Sequence, residues 1–189
     1  MASAVQIANL ALVTIGDDEA LVELSTDTRA GRAILAVFDI ERDALLRAHP
    51  WNFAMTRASL PALADAPPFG FGYAYQLPAD WMRFIDETDY EPFAIESGQI
   101  LTDRAPPLNI RYVRRVTDTG LFDALFVKAL AAAIAAQVAQ RLSGSATVRA
   151  NAMDEYAMRI AEAKKVDGQE NPPEDLLEDD WVLARERDS

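Results

Sequence analysis

His49 is the one histidine of this 189-residue chain, and it limits the acid–base chemistry that the sequence offers. A nucleophilic triad needs a base, which is most often a histidine. His49 directly precedes Pro50 at the end of a predicted helix, and a residue before proline is biased away from helical dihedral angles. We therefore expect His49 to serve a junction between elements, and we predict no catalytic residue.

Other reactive groups form no recognisable pattern. The eight glycines are scattered, so no glycine-rich phosphate loop is predicted. With one histidine and no cysteine, the chain offers no metal site of the His and Cys type, and we predict no metal and no cofactor. Among 30 acidic residues, a carboxylate pair of the kind that cleaves glycosides is compatible with the sequence but not indicated by it. We therefore predict that the protein is not an enzyme.

The overall charge is more informative. The formal net charge is −12, from 30 acidic and 18 basic residues. A protein that wraps or grips nucleic acid needs a basic surface, so the composition argues against that class. The acidity agrees with solubility alone, and it also agrees with the wall of a channel through which DNA slides without being held.

Four basic residues lie on or near the last predicted strand of the central region and are Arg104, Arg111, Arg114 and Arg115. We interpret them in two ways. They form either a solvated sheet face or a contact for an acidic partner surface, such as residues 170–180 of a neighbouring copy.

Compartment and membrane association follow from simpler observations. The absence of cysteine excludes disulfides and agrees with assembly in a reducing cytoplasm. The first helix carries Gln6 and Asn9 and lacks a basic leader, so we expect no signal peptide. The longest apolar run, residues 129–136, is far shorter than the ~20 residues of a membrane span. We therefore predict no membrane contact.

Predicted helices occupy both ends of the chain. Residues 3–48 contain two, the first capped by Ser3 and the second preceded by the capping residues 26–28. The second repeats apolar residues at helical spacing over about twenty residues, and Arg42 falls on its polar side. Residues 121–166 contain two more.

The third helix, over residues 121–142, is apolar on nearly all sides, which predicts burial on most of them. Its many alanines permit close approach of neighbouring elements. It is either a core helix of one subunit or a helix that also contacts other subunits. The fourth helix begins after Ser145 and is predicted to end near Val166 and Asp167.

The region between the helices is typical of strands. Pro50 ends the second helix at Ala48 or His49. Trp51 and Phe53 then lie two residues apart, which places both rings on one face of an extended segment. The pair is predicted to anchor the sheet to the helices.

Residues 52–116 predict an antiparallel sheet of four or five strands with one buried face. The first strand covers residues 52–60, Ser97 and Gly98 form a two-residue hairpin turn, and Leu108 begins the clearest alternation. The fold class is therefore α+β, with a helical bundle formed by residues 1–49 and 118–166 and a β-rich insertion over residues 50–117. Together these form one domain, residues 1–166.

Residues 167–189 are predicted to be an acidic tail. No basic residue occurs between Asp167 and Asp180, and a short apolar segment with Trp181 and Arg185 follows. Such a composition does not form a core by itself. The tail is either a solvated end or a segment that docks on a neighbouring surface.

The stretch at the end of the second helix resembles a known family, and its sequence is Arg47-Ala48-His49-Pro50-Trp51-Asn52-Phe53-Ala54. Together with Tyr75-Gln76-Leu77-Pro78-Ala79-Asp80, it is similar to the tail tubular protein A family, the head-to-tail adaptors of short-tailed bacteriophages and related particles. The similarity covers most of the chain, from Leu10-Ala11-Leu12 to the residues 181–185. None of these pieces is a catalytic signature, and their order and spacing carry the resemblance.

The resemblance implies a virion protein that is assembled in the host cytoplasm. Its members form a ring of twelve subunits between the portal protein and the tail nozzle protein, around the channel through which DNA passes. A head-to-tail contact between two different patches closes into such a ring. We expect the anchors and contacts at these residues: His49, Pro50, Trp51, Phe53, Arg111, Arg114, Arg115, Trp181 and Arg185.

Three alternatives stay open at this point. The adaptor could also cleave peptidoglycan with carboxylates, as is reported for some adaptors of short-tailed phages. The particle could be a long-tailed phage or a gene transfer agent. The chain could instead be a non-viral interaction module with an acidic regulatory tail.

Overall fold

The structure is a computed structural model that describes residues 2–85 and 92–170. Within these residues the chain is a mixed helix and sheet protein. The helices are α1 (Ala4–Thr14), α2 (Arg29–Ala48), α3 (Ala124–Ser143) and α4 (Ala146–Glu170). The strands are β1 (Met55–Leu60), β2 (Tyr73–Gln76), β3 (Trp81–Ile85), β4 (Phe93–Glu96), β5 (Gln99–Thr102) and β6 (Leu108–Arg114).

The helix starts follow from capping side chains. Ser3 and Gln6 form a reciprocal capping box at α1, and the Thr28 hydroxyl accepts from the Gly31 N–H at α2. The start of α3 was predicted at residue 121, but Asp123 caps it and residues 119–121 form a 3₁₀ turn. An aspartate carboxylate that accepts from two backbone N–H groups outweighs the continuity of the apolar pattern.

The end of α2 confirms the effect of Pro50. The last helical residue is Ala48, and His49 already has extended dihedral angles. The placement of Arg42 on the polar side of α2 is wrong, because this residue is buried. Its guanidinium is compensated by Asp39 and Asp43 on the same helix, at 2.7 Å and 2.8 Å.

The prediction of one sheet with four or five strands is wrong. The described residues contain six strands in two three-stranded antiparallel sheets, with the orders β1-β6-β3 and β2-β5-β4. The division follows from long-range pairing, because β6 pairs with β1 and β3 whereas β5 pairs with β2 and β4. Pro106 and Pro107 lie in the connection between β5 and β6, where no ladder hydrogen bond is required of them.

Two details of the strand prediction are confirmed. Ser97 and Gly98 join β4 and β5 with positive φ angles of 48° and 76°, and Glu96 pairs with Gln99. In β6 the alternating residues Leu108, Ile110 and Tyr112 are buried. They pack with side chains of the second sheet, including Tyr75 and Ile100, so the two sheets share a small apolar core.

The larger core surrounds α3. This helix packs against α1, α2 and α4, and residues 129–136 are all buried. Alanines permit these close contacts, so within the described chain α3 has the environment of a core helix. It is also long and apolar enough to cross a membrane by length and composition, a property that a buried core helix shares.

The end of α4 was predicted too early. The helix continues through Asp167 and Gly168 to Glu170. Asp167 is buried and therefore belongs to the folded domain rather than to the acidic tail. The contacts that hold it are part of the candidate site.

Candidate functional site

Trp51 anchors the junction between the helices and the first sheet. It is 1% exposed, and its Nε1–H donates to the carbonyl oxygen of Leu45 at 2.8 Å. Residues 52–54 form a 3₁₀ turn, so the prediction of an extended segment from Trp51 to Phe53 is wrong. The turn arises because the backbone N–H groups of Ala54 and Met55 both donate to the Trp51 carbonyl.

Four aromatic rings pack together at this point. Phe126, at the start of α3, lies 5.1 Å from Trp51 and 4.9 Å from Phe53 between ring centroids. Phe122 lies 4.9 Å from Phe126. Edge-on pairs of this kind each contribute about 0.5–1.5 kcal/mol beyond simple burial. The cluster therefore fixes the end of α2 to the start of α3.

Asp167 joins the end of α4 to the same junction. Its carboxylate accepts from the Asn52 backbone N–H at 3.0 Å and lies 3.0 Å from His49 Nε2. The Asn52 side-chain amide donates to the Asp167 carbonyl at 2.8 Å. His49 also stacks edge-on against Trp51 at 4.7 Å. The lone histidine thus serves the junction, with a carboxylate that the sequence interpretation had assigned to the tail.

A second set of polar contacts ties α2 to the sheet. The Asp43 carboxylate, beside Arg42, also accepts from Arg115 Nε at 3.0 Å. The backbone N–H of Arg115 donates to the Asp80 carbonyl at 2.6 Å. The Tyr112 hydroxyl donates to the Asp80 carboxylate at 2.9 Å. A continuous chain of hydrogen bonds therefore runs from α2 through the end of β6 to the turn before β3.

Two side chains of this region have shifted pKa values. Burial, with a smaller effect of the hydrogen bond to Asp80, raises the pKa of Tyr112 to about 12. Partial burial raises the pKa of Glu41 on α2, and a hydrogen bond with Gln137 on α3 opposes the rise. Both shifts disfavour the charged form, as burial does.

Arg47 completes the link between α2 and β3. Its guanidinium donates to the Met82 carbonyl and lies 5.7 Å from the centre of the Trp81 ring. A guanidinium over an indole face is a favourable cation–π geometry. The stretch that carries the family resemblance therefore contacts both sheet and helices.

The arginines predicted as a contact patch are distributed over both faces of the first sheet. Arg111 pairs in register with Arg57 on β1 and with Ile85 on β3. Arg114 pairs with Trp81, and its odd spacing from Arg111 places it on the opposite face. Arg115 lies beyond the strand and contacts Asp43. Trp181 and Arg185 lie outside the described residues.

Sequence reasoning missed Asp167, Asn52 and Phe126 as members of this junction. A signal for Asp167 was present, because it follows Ala163 by four residues on the stripe of α4 that faces α3. The following glycine led to the prediction of a helix end instead.

The contacts of this site hold helices and strands in fixed relative positions. Within residues 2–85 and 92–170, no group of three or more His, Asp or Glu side chains is placed to hold a metal ion. The junction contains a buried carboxylate, one imidazole and stacked rings, which together fix the relative positions of α2, α3, α4 and the first sheet. No protein-family model and no curated protein matches the chain. The resemblance to the tail tubular protein A family therefore stays a prediction.

Proposed function

We propose that the chain is a structural head-to-tail adaptor of a bacteriophage, similar to tail tubular protein A. It assembles as a ring of twelve copies between portal and tail nozzle, surrounds the DNA channel without gripping the DNA, and works by assembly rather than by catalysis. Its finer architecture in this proposal is one helical body built from both ends of the chain, with the sheets inserted.

One observation carries the proposal. The residues of the resembling stretch, from Arg47 to Phe53, are among those that hold the helices and the first sheet together. A subunit of a ring must keep its contact patches at fixed positions, because small angular errors between neighbours prevent closure. A rigid junction between helices and sheet supplies that property.

The length of α2 adds support. Its twenty residues correspond to about 30 Å at 1.5 Å per residue. It connects the loop before Arg29, where the Arg29 side chain contacts the end of α3, to the sheet at the other end. Such a helix separates two surfaces of one subunit, and a head-to-tail contact needs two different surfaces.

Assembly with the portal protein tests the proposal. Purified protein is mixed with the portal protein of the same particle and examined by mass photometry and electron microscopy. We expect a collar of twelve copies on the portal vertex. A protein that stays monomeric and never engages the portal would contradict the adaptor.

Matched charge reversals make the test specific. Arg114→Glu changes a predicted contact residue, and Arg149→Glu changes an exposed residue of α4 by the same charge. The proposal expects loss of collars for the first variant only. Equal assembly of both variants would show that Arg114 is not part of the contact surface.

The hydrolase alternative is tested separately. Pure protein is added to cell walls across a range of pH, and release of soluble fragments is measured. Turnover that depends on one carboxylate would contradict a purely structural role.

A further inference from the structure

Three arginines lie on one face of the first sheet. Arg57 on β1 is directly opposite Arg111 on β6, and Arg83 on β3 is opposite Val113, one step along the same face. Arg57 and Arg83 are exposed. We call Arg57, Arg83 and Arg111 the arginine face. Arg111 has an interaction of its own, so the exposed positive charges of Arg57 and Arg83 are the ones that favour an anionic segment on this face.

The position of the arginine face is defined by its neighbours. Val113 on the same face is buried in the helical core, whereas the other face of β6 packs on the second sheet. The helices therefore cover one part of this sheet face, and the arginines lie on the part beyond them, which borders solvent. Arg57 is close in sequence to Asn52, which contacts α4, and Arg111 lies beside Arg57 in the sheet.

The chain beyond α4 starts near this face. Asp167 is bonded to Asn52, and Asn52 precedes Arg57 by five residues, a distance of at most about 18 Å along an extended chain. Residues 171–173, with two prolines, span at most about 11 Å. The next seven residues, 174–180, contain five acids and no base.

We propose that residues 174–180 dock on the arginine face of their own subunit. Two observations favour this segment as the occupant. Its acids are opposite in charge to the arginines, and the end of α4 lies close enough to Arg57 for a few residues of chain to span the distance. A short tether gives an effective concentration in the millimolar range, so individually weak ion pairs are sufficient. The contact belongs to the isolated chain and does not depend on the proposed function.

A spin label tests the docking directly. The chain has no cysteine, so Val182→Cys provides one labelling site just beyond the acids. Paramagnetic broadening of amide signals is then measured in ¹⁵N-labelled full-length protein. We expect broadening of β1 and β6 around Arg57 and Arg111, and its loss at high salt, because the ion pairs are exposed to screening.

The double variant Arg57→Gln and Arg83→Gln removes two exposed charges and leaves Arg111, which has an interaction of its own. We expect a contact that is weaker by roughly two- to thirtyfold, which follows from two exposed ion pairs of ordinary strength. The matched control Arg149→Gln and Lys165→Gln removes the same charge from α4 and should leave the broadening unchanged. A dispersed amide spectrum in both variants shows that they are folded.

Three results would overturn the proposal. Broadening that is insensitive to the arginine variants would place the acids elsewhere. Broadening that appears only when labelled and ¹⁵N-labelled copies are mixed would assign the face to the acids of a second copy. Unchanged signals on β1 and β6 would show that residues 174–180 do not bind the arginine face, and another anion, such as the four acids of residues 86–91, would then be the candidate.

Discussion

The carboxylate of Asp167 lies 3.0 Å from Nε2 of His49, although 118 residues separate them in sequence. Asp167 is near the end of α4, and His49 is the first residue after α2. The pair therefore connects the end of α4 to the end of α2, and so links the two helical parts of the chain. Its neighbour Asn52 bonds to both the side chain and the backbone of Asp167.

Replacement of Asp167 tests how much this link contributes to stability. Asp167→Ala leaves the half-buried Asn52 N–H without its acceptor, which typically costs about 1–3 kcal/mol. We expect a decrease of about 2 kcal/mol in the free energy of unfolding, measured by urea denaturation. Asp167→Asn keeps one acceptor oxygen and should lose less. Asp154→Ala, at an exposed position of α4, is the control, and equal losses at both sites would contradict the role of Asp167.

The aromatic cluster should dominate the stability of the junction. Phe126→Ala removes a fully buried ring that contacts Trp51, Phe53 and Phe122, and such truncations cost about 3–5 kcal/mol. The same substitution at Phe69, which is 86% exposed, should change stability by less than about 0.5 kcal/mol. Thermal unfolding of the two variants separates these expectations. A small loss for Phe126→Ala would mean that the cluster does not hold α3 to α2.

Glycine-to-alanine changes in two helices should have opposite signs. A Cβ atom at Gly31 in α2 would lie 2.1 Å from the Ser25 carbonyl oxygen, whereas nothing lies within 4 Å of one at Gly168 in α4. Gly31→Ala should destabilise by about 1–3 kcal/mol through overpacking. Gly168→Ala should stabilise by up to about 1 kcal/mol, because alanine is the better helix former. Denaturant titrations give both values, and stabilisation by Gly31→Ala would show that the loop before α2 moves aside.

Alkaline unfolding should report on Tyr112. Its pKa is about 12 in the folded protein and 10.0 in the absence of the fold, so the folded state holds the proton more tightly. The contribution of this pKa difference to the free energy of unfolding is fully present below pH 10 and is lost as the pH rises from 10 to 12. Tyr112→Phe should cost about 1–2 kcal/mol at pH 7, where it removes the hydrogen bond to Asp80.

Above pH 10 the cost of Tyr112→Phe should shrink, because the variant has no phenol to ionise. The difference between wild type and variant at each pH isolates this group from other residues that titrate there. A constant difference between pH 7 and pH 12 would contradict the assignment. Absorbance of tyrosinate near 295 nm provides a direct titration.

Local signals in the sequence predicted local structure well. Ser3, Thr28 and Pro50 set helix boundaries because each acts through the backbone of its immediate neighbours. The Ser97-Gly98 turn was predictable for the same reason. The division into two sheets was not predicted, since it depends on which distant strands pair.

The candidate site was predicted in part. The importance of His49 and Trp51 followed from Pro50 and from ring size, whereas the partners of these residues depend on long-range packing. Asp167 was assigned to the tail because acidic residues near a glycine are typical of a helix end. Arg42 was placed in solvent because a helical pattern does not show that two nearby carboxylates compensate a buried guanidinium.

The attachment of α4 at Asp167 has a mechanical consequence. A force that pulls on the chain beyond Glu170 meets less than one turn of helix before it reaches Asp167, which contacts Asn52 and His49. The load then passes into the boundary between helices and sheet instead of peeling α4 from its free end. In optical-trap experiments, tension applied at residue 189 should therefore first release residues 174–180 from the arginine face and then rupture the contacts of Asp167, and a variant without that carboxylate should show the second step at lower force.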